Sequence, residues 1–355
     1  MTGRERFMTA LAGGRPDRVP IFLRDLTLGL DLCDFTTPEV SGGYDAAKAA
    51  RAMVASRQHF SQDAIVGYVA DLGFDAERLG GSVQFPERGI PRVAAPPLAD
   101  DASLTERLDD AFDMLDYLPP GRWPNVLETV GLVKTLVGDR AAIAANVEGP
   151  VTRAGVLRGL DKLALDLAAD RDTARRIIDL SVELGVRSAR DLLRAGCDFL
   201  FLAAATDGPA VISPRDYLEF TIPGLRRLVA AATAEGCPTI FHPHGRFTDP
   251  RFHDLVDAAL DCGIAGFQFG EQCDLGLAQR KWGGRTCILG GPDVPEVLAP
   301  GPAERVVEVT RQVLADAMGD GGFIIMASCS VHRGAPIAHL EAMVATVLAE
   351  GGYSA

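Results

Sequence analysis

No apolar run in this sequence approaches the roughly 20 residues that a membrane-spanning helix needs; Phe199 to Ala205 and Phe323 to Ala327 are typical of its apolar stretches and far shorter. No apolar signal segment follows Met1 to Arg6, so no membrane partner is expected and the predicted location is the cytoplasm. An excess of positive charge is lacking too. Lys and Arg number 35 against 48 Asp and Glu, a formal net charge of −13, and that field repels polyphosphate, so nucleic acid is not an expected partner. Neither GxGxxG nor GxxxxGK(S/T) follows any apolar run, which removes the usual nucleotide phosphate cradles. The seven cysteines are an odd number at no framework spacing, which argues against a disulfide scaffold.

What is present is core-forming material: 47% hydrophobic and 23% charged residues over 355 positions, enough for a packed interior. Gly and Pro recur throughout without marking a seam, so residues 1–355 are read as one domain. They bound short β-type runs, each followed by a helical pattern: Ala141 to Val147, Asp198 to Ala203, Thr239 to His242, Ile264 to Phe269, Thr286 to Leu289 and Phe323 to Met326. Val19 to Leu23 and Ala64 to Ala70, with an amphipathic helix near Ala46 to Phe60 between them, bring the strand count to eight. Such alternation predicts an α/β fold, a (β/α)8 TIM barrel with an N-terminal extension and insertions, ahead of an open doubly wound sheet.

In a parallel barrel the chemistry lies at the C-terminal ends of the strands. The polar residues there are Arg24, Asp71, Glu148, Asp207, His242, His244, Gln268, Glu271, Asp293 and Cys329. Two imidazoles and a thiolate suit Zn²⁺ and leave a fourth position open, as catalytic zinc requires, so His242, His244 and Cys329 are the candidate ligands. The competing reading makes His242 a satisfied core histidine, His244 a loop cap and Cys329 inert core. His253 lies within a helical pattern and His332 is a candidate for supporting the ligands. Cys197, Cys237 and Cys262 precede strands, at the wrong end of the barrel, whereas Cys273 near Glu271 is not dismissed.

Several segments together carry a family resemblance: the opening MTGRERFMTALAGGRPDRVPIF, Ala76 to Glu87, Glu148 to Thr152, Ile212 to Tyr217, Ile240 to Gly245, Gly290 to Pro295 and Gly321 to Cys329. Over nearly its whole length the chain resembles the uroporphyrinogen decarboxylase superfamily, which implies a single TIM barrel. Within it the decarboxylases have two arginines in an FMRQAGR-type loop and a late GHG; here the loop retains Arg24 alone and the late motif is Ser328-Cys329-Ser330. A late Cys together with His-x-Cys-Gly is similar to the zinc-dependent cobamide methyltransferases, of the methylcobamide:coenzyme M type. That resemblance implies His242 and Cys329 as zinc ligands, with His244 standing where the family usually has Cys.

The resulting expectation is methyl transfer between a cobalamin and a small-molecule thiol, pterin or methyl ether, catalysed around zinc at His242, His244 and Cys329, with Asp71 also in the catalytic set. Arg24, Glu148, Asp207, Gln268, Glu271 and Asp293 are expected to bind or position the substrate. The chain carries no DxHxxG cobalamin motif, so the corrinoid is expected on a small partner protein; homodimerisation is left open. The alternatives are a metal-free decarboxylase-like lyase for a smaller carboxylate, using Arg24 and Asp71, and a non-catalytic binding protein on a degenerate barrel.

Overall fold

The structure, a computed structural model, describes residues 1–331 and 335–353; His332 lies outside the described residues. Nine strands follow in chain order: β1 Ala64–Val66, β2 Ser82–Gln84, β3 Arg92–Ala95, β4 Ala142–Glu148, β5 Phe199–Ala204, β6 Thr239–Pro243, β7 Gly266–Gln268, β8 Cys287–Gly290 and β9 Phe323–Ile325. Seven form one parallel sheet in the order β1-β4-β5-β6-β7-β8-β9, and β2 pairs with β3 as an antiparallel hairpin in the insertion after β1. All residues of the seven sheet strands are buried, as expected of strands covered on both faces.

The expected first strand, Val19 to Leu23, is not a regular strand, and this is a correction. Pro20 has no N–H to give to a ladder, and Arg24 takes a left-handed backbone at φ 48°, which breaks the extension. The segment nevertheless closes the sheet. Ile21 pairs in parallel with Ile325 of β9, Phe22 N–H donates to Ile325 at 3.0 Å, and on the other side Asp63 N–H, just before β1, donates to Ile21 at 2.9 Å. The fold is thus the TIM barrel that eight apolar runs implied, with its eighth staves replaced by single bridges.

The pin of this closure is Asp63, 2% exposed. Its Oδ1 accepts from Arg6 at 2.7 Å and Arg18 at 3.1 Å, and its Oδ2 from Arg18 at 2.7 Å and Ile21 N–H at 2.9 Å. Arg6 belongs to the helix Gly3–Leu11, begun by a Thr2 capping box. Phe7 of that helix packs 5.8 Å from Phe22 and 4.8 Å from Phe199, plugging the N-terminal end of the barrel. Above it, Phe22 meets Phe201 edge-on at 5.6 Å, so aromatic rings fill the interior up to the layer beneath the strand ends.

The flanking helices follow the expected pattern. Asp45 caps Ala46–His59 and Asp170 caps Arg171–Ala195, whose Ile177, Leu180, Leu184 and Leu192 are buried. Ser213 caps a helical turn at Pro214, as the Ser-Pro pair implied. Among the described residues no helix is long and apolar enough to cross a membrane.

Removing one partner of a buried ion pair leaves the others uncompensated, so Asp63→Ala should lose roughly 3–5 kcal/mol of unfolding free energy. Asp17→Ala, which deletes a half-exposed carboxylate paired with Arg6, should cost about 1 kcal/mol or less. Urea unfolding of both variants checks this, and equal losses would remove Asp63 from its role as the pin.

Candidate metal centre

His242 is the next-to-last residue of β6, in register with Ala203 of β5, and Cys329 lies four residues beyond the end of β9, so the two reach the same barrel end from strands far apart in sequence. His244 follows one residue after β6. Its position depends on two glycines: Gly245 has φ 148°, and a Cβ on Gly208 would lie 2.1 Å from the His244 carbonyl oxygen, so only glycine lets the loop after β5 approach so closely.

The three donors converge. His242 Nε2 and His244 Nε2 are 3.1 Å apart, and Cys329 Sγ is 3.8 Å and 3.5 Å from them. Tetrahedral zinc with ordinary Zn–N and Zn–S bonds places N and N about 3.3 Å apart and S and N about 3.6 Å apart. The donor spacing therefore fits zinc without rearrangement of the backbone. Among the described residues this is the one group of three or more His, Cys, Asp or Glu side chains with metal-ligating geometry.

The shifts at His242 and Cys329 suit ligation; that at His244 favours the protonated ring. Burial, with the Arg24 guanidinium and His244 adding to it, holds His242 well below the usual imidazole range, which keeps its ring nitrogen free to donate a lone pair. The Cys329 thiol contact raises His244. Burial alone would push the Cys329 thiol up, but His244 and Arg24 together outweigh it and the net shift is downward.

Behind His242 stands Gln268, at the end of β7. Its Nε2 donates to the carbonyls of Ala327 at 2.9 Å and Ser328 at 3.2 Å, the backbone that leads into Cys329. Its Oε1 and His242 Nδ1 are both buried and neither makes a regular hydrogen bond, although the amide does favour the protonated ring. A ligating histidine donates its second N–H to such a group, so these two orphaned atoms are the ones a metal on Nε2 would pair.

A cavity of about 170 Å³ lies in front of the donors, and Arg24, Asp71, His242, His244 and Cys329 line it together with Asn146, Leu26 and Ile90. Arg24 is buried, donates from Nε to Asn146 at 3.1 Å and lies 4.7 Å from the Phe201 ring. Asp71 is held by Arg122 at 2.6 Å and by Gly73 N–H at 2.6 Å. Glu148 is paired with Arg153 at 2.5 Å; burial, reinforced by Asp71, pushes its carboxyl up to about 7. Glu271 is outside the cavity, 3.8 Å from His244 Nδ1.

Of the six expected substrate residues Arg24 alone is among those lining this cavity, and Asp207 and Asp293 are engaged as caps. Asp207 accepts from Val151 N–H, Thr152 N–H and the Thr152 hydroxyl, so it caps the helix Pro150–Arg158. Asp293 caps the turn Val294–Leu298 through Glu296 N–H. A carboxylate just past a strand end meets the next helix N-terminus as readily as it meets a ligand. Cys273 contacts the Gly245 carbonyl, and His253 packs on Trp282. Sequence reasoning missed Asn146, Arg122 and Arg153. Asn146 had a signal, a polar residue in an otherwise apolar strand; the two arginines had none.

The chain belongs to the uroporphyrinogen decarboxylase (URO-D) family, whose model it matches over residues 2–349. It is 25% identical to the methylcobamide:CoM methyltransferase MtaA of Methanosarcina barkeri, covering 97% of each chain. It is 26% identical to a methylated-thiol–coenzyme M methyltransferase of Methanosarcina mazei, over 97% of this chain and 88% of that one. A uroporphyrinogen decarboxylase of Anaeromyxobacter dehalogenans is 23% identical over 98% of this chain and 99% of its own. A solved structure, a methyltransferase from Methanosarcina mazei, superposes with a TM-score of 0.81 at 21% identity, covering 98% of this chain and 99% of that one, and so shares the fold.

The purified protein should carry about one zinc per chain. Cys329→Ala should remove most of it, and Cys197→Ala, at the opposite end of the barrel, should not. His244→Ala should bind more weakly than wild type while His244→Cys retains the metal. Gln268→Leu, which touches no ligand atom directly, should weaken zinc roughly 10- to 100-fold. Competition with a chelator at one fixed pH measures all five, since ligand protonation makes affinity pH-dependent. Equal affinity in wild type, His244→Ala and His244→Cys would rule out His244 as a ligand.

Proposed function

We propose that this protein transfers a methyl group between a corrinoid, carried by a small partner protein, and a small-molecule thiol, pterin or methyl ether, at a zinc held by His242, His244 and Cys329. The observation that carries the proposal is the spacing of those donors at the C-terminal mouth of the barrel, set beside a similarity to methylcobamide methyltransferases that runs the length of the chain. Zinc bound there would supply Lewis acidity, lowering the pKa of a thiol or polarising a methyl-ether oxygen. A corrinoid would supply the methyl carrier.

The chain's own residues would do the rest. Leu26 and Ile90 give the cavity beside the donors apolar walls, which would limit water near the reacting methyl. Arg24, fixed by Asn146 and the Phe201 face, would orient an anionic or polar part of the substrate. Gln268 would hold the His242 ring and the Cys329 backbone together, acting through the ligands and not on the substrate. Glu271, beside His244 at the outer rim, is placed to steer that ring.

The lyase alternative asks Asp71 to stabilise a developing cation. Its two oxygens are already committed to Gly73 N–H and to Arg122, so its charge is matched within the protein and the geometry does not favour that role.

The test mixes zinc-loaded protein with methylcob(III)alamin and a panel of thiols, tetrahydrofolate and methyl ethers, following the cobalamin spectrum. Demethylation should occur with one class of acceptor and fall at least roughly 100-fold in His242→Ala. If no free cobalamin and no candidate corrinoid protein binds or reacts, methyl transfer is overturned.

A further inference from the structure

On the flank of the barrel, sharing no residue with the metal centre, is an open cavity of about 340 Å³ into which four arginines project: Arg78, Arg187, Arg190 and Arg194. Three come from one face of the helix Arg171–Ala195, at spacings of three and four residues, and Arg78 ends the helix Phe74–Arg78 on the opposite wall. Two acids, Asp116 and Asp191, also line it. Asp75 and Glu235, outside the lining, pair with Arg78 and Arg194, so four carboxylates stand against four guanidiniums and the place is distinguished by N–H donors that remain unused.

The internal partners do not exhaust these donors. Arg78 gives Nε to the Pro119 carbonyl at 2.9 Å and Nη1 to Asp75 at 3.3 Å, which fixes it in place. Arg187 gives Nη2 to the exposed Asp116 at 2.8 Å, but its Nε is buried with no partner. Arg194 pairs with Glu235 at 2.6 Å, and Asp191 accepts from the Trp123 indole at 2.9 Å. Among the described residues Arg190 makes no side-chain hydrogen bond or ion pair. Burial and the nearby Arg187 charge, opposed by Asp191, hold Arg78 below its usual value, so these guanidiniums repel one another across the cavity.

We propose that this cavity binds a phosphoryl dianion, free or as the phosphomonoester of a small molecule. Guanidinium forks match the oxygens of a phosphoryl group in pairs, and Arg190, with its donors unused among the described residues, lies between Arg187 and Arg194 on one helix face. The volume is at the lower end of small-molecule sites, roughly 300–1,000 Å³. Leu115 and Leu118 on one wall give an organic substituent an apolar surface. The overall acidity of the chain disfavours a long polyanion at the same place.

Isothermal titration of the full-length protein with inorganic phosphate, adenosine 5′-monophosphate and adenosine, at constant ionic strength, tests this. At least one of the two phosphoryl ligands should bind saturably with a dissociation constant at or below about 1 mM, and adenosine should not. Tighter binding of the nucleotide identifies a phosphomonoester as the ligand; equal binding identifies free phosphate. Arg190→Ala, an exposed position whose change leaves the core intact, should weaken binding roughly tenfold, and Arg190→Lys should fall between. Cys329→Ala should bind phosphate like wild type. Absence of saturable binding up to about 10 mM, or equal binding by wild type and Arg190→Ala, overturns the proposal.

Discussion

A single buried carboxylate holds the barrel shut. Asp63 accepts four hydrogen bonds, from two arginines and one backbone amide, at the seam where the sheet has no regular strand. Elsewhere the ladder itself joins neighbouring strands. Between β9 and β1 the ladder is reduced to isolated bridges, so charge-assisted bonds substitute for it. The same seam delivers Arg24. Three residues after Ile21 the chain turns through a left-handed conformation and places that guanidinium against Phe201 and Asn146, after which Asp25 anchors the next turn through Thr27, Leu28 and Gly29 N–H groups. Closure of the fold and composition of the site are therefore one structural event.

Above the seam, ion pairs sort the remaining charges. Asp71 is matched by Arg122, and Arg153 binds Glu148 and Asp75 together. These pairs lie in the insertion after β1 and the first turn after β4, and they tie the hairpin-bearing insertion to the barrel mouth. Buried pairs of this kind contribute less to net stability than to holding one geometry, since desolvation offsets much of their attraction. Their consequence here is that, among the described residues, Arg24 lines the cavity with donors that no carboxylate contacts.

That His242, His244 and Cys329 meet was legible from the sequence because parallel strands put their last polar residue at one barrel end, and imidazoles and thiols seldom cap helices. Acids do. Asp207 and Asp293 obey the same positional rule and prove to be helix caps, a distinction that depends on where the following helix begins. Gln268 was recognisable as a polar strand end, but its place behind His242 depends on the backbone at 327–328, about sixty residues away. Arg122 and Arg153 were out of reach because an ion pair across insertions has no periodicity to announce it. The first strand failed for a local reason that was visible in part: Pro20 was readable, the left-handed turn at Arg24 was not.

The resemblance to the cobamide methyltransferases would put His244 where they usually have Cys, which would change the charge balance at a metal held there. Two neutral imidazoles and one thiolate would leave a divalent ion one positive charge, where one imidazole and two thiolates would leave none. Arg24 adds a second positive charge nearby, and of the neighbouring carboxylates Asp71 and Glu148 are paired with Arg122 and Arg153 while Glu271 faces His244. An anionic ligand in the open position is favoured on electrostatic grounds, so a thiol there would ionise more readily than beside two thiolates. Nucleophilicity falls with the same pKa, but with a Brønsted slope of only about 0.4–0.5. Each unit of pKa lowering thus gains up to tenfold in ionised thiol and loses only about threefold in reactivity, as long as the pKa stays above ambient pH. Below that point the gain vanishes and the loss remains. Were zinc and a thiol held there, His244 in place of Cys would suit acceptors whose free thiols are weakly acidic and would penalise those already ionised at neutral pH.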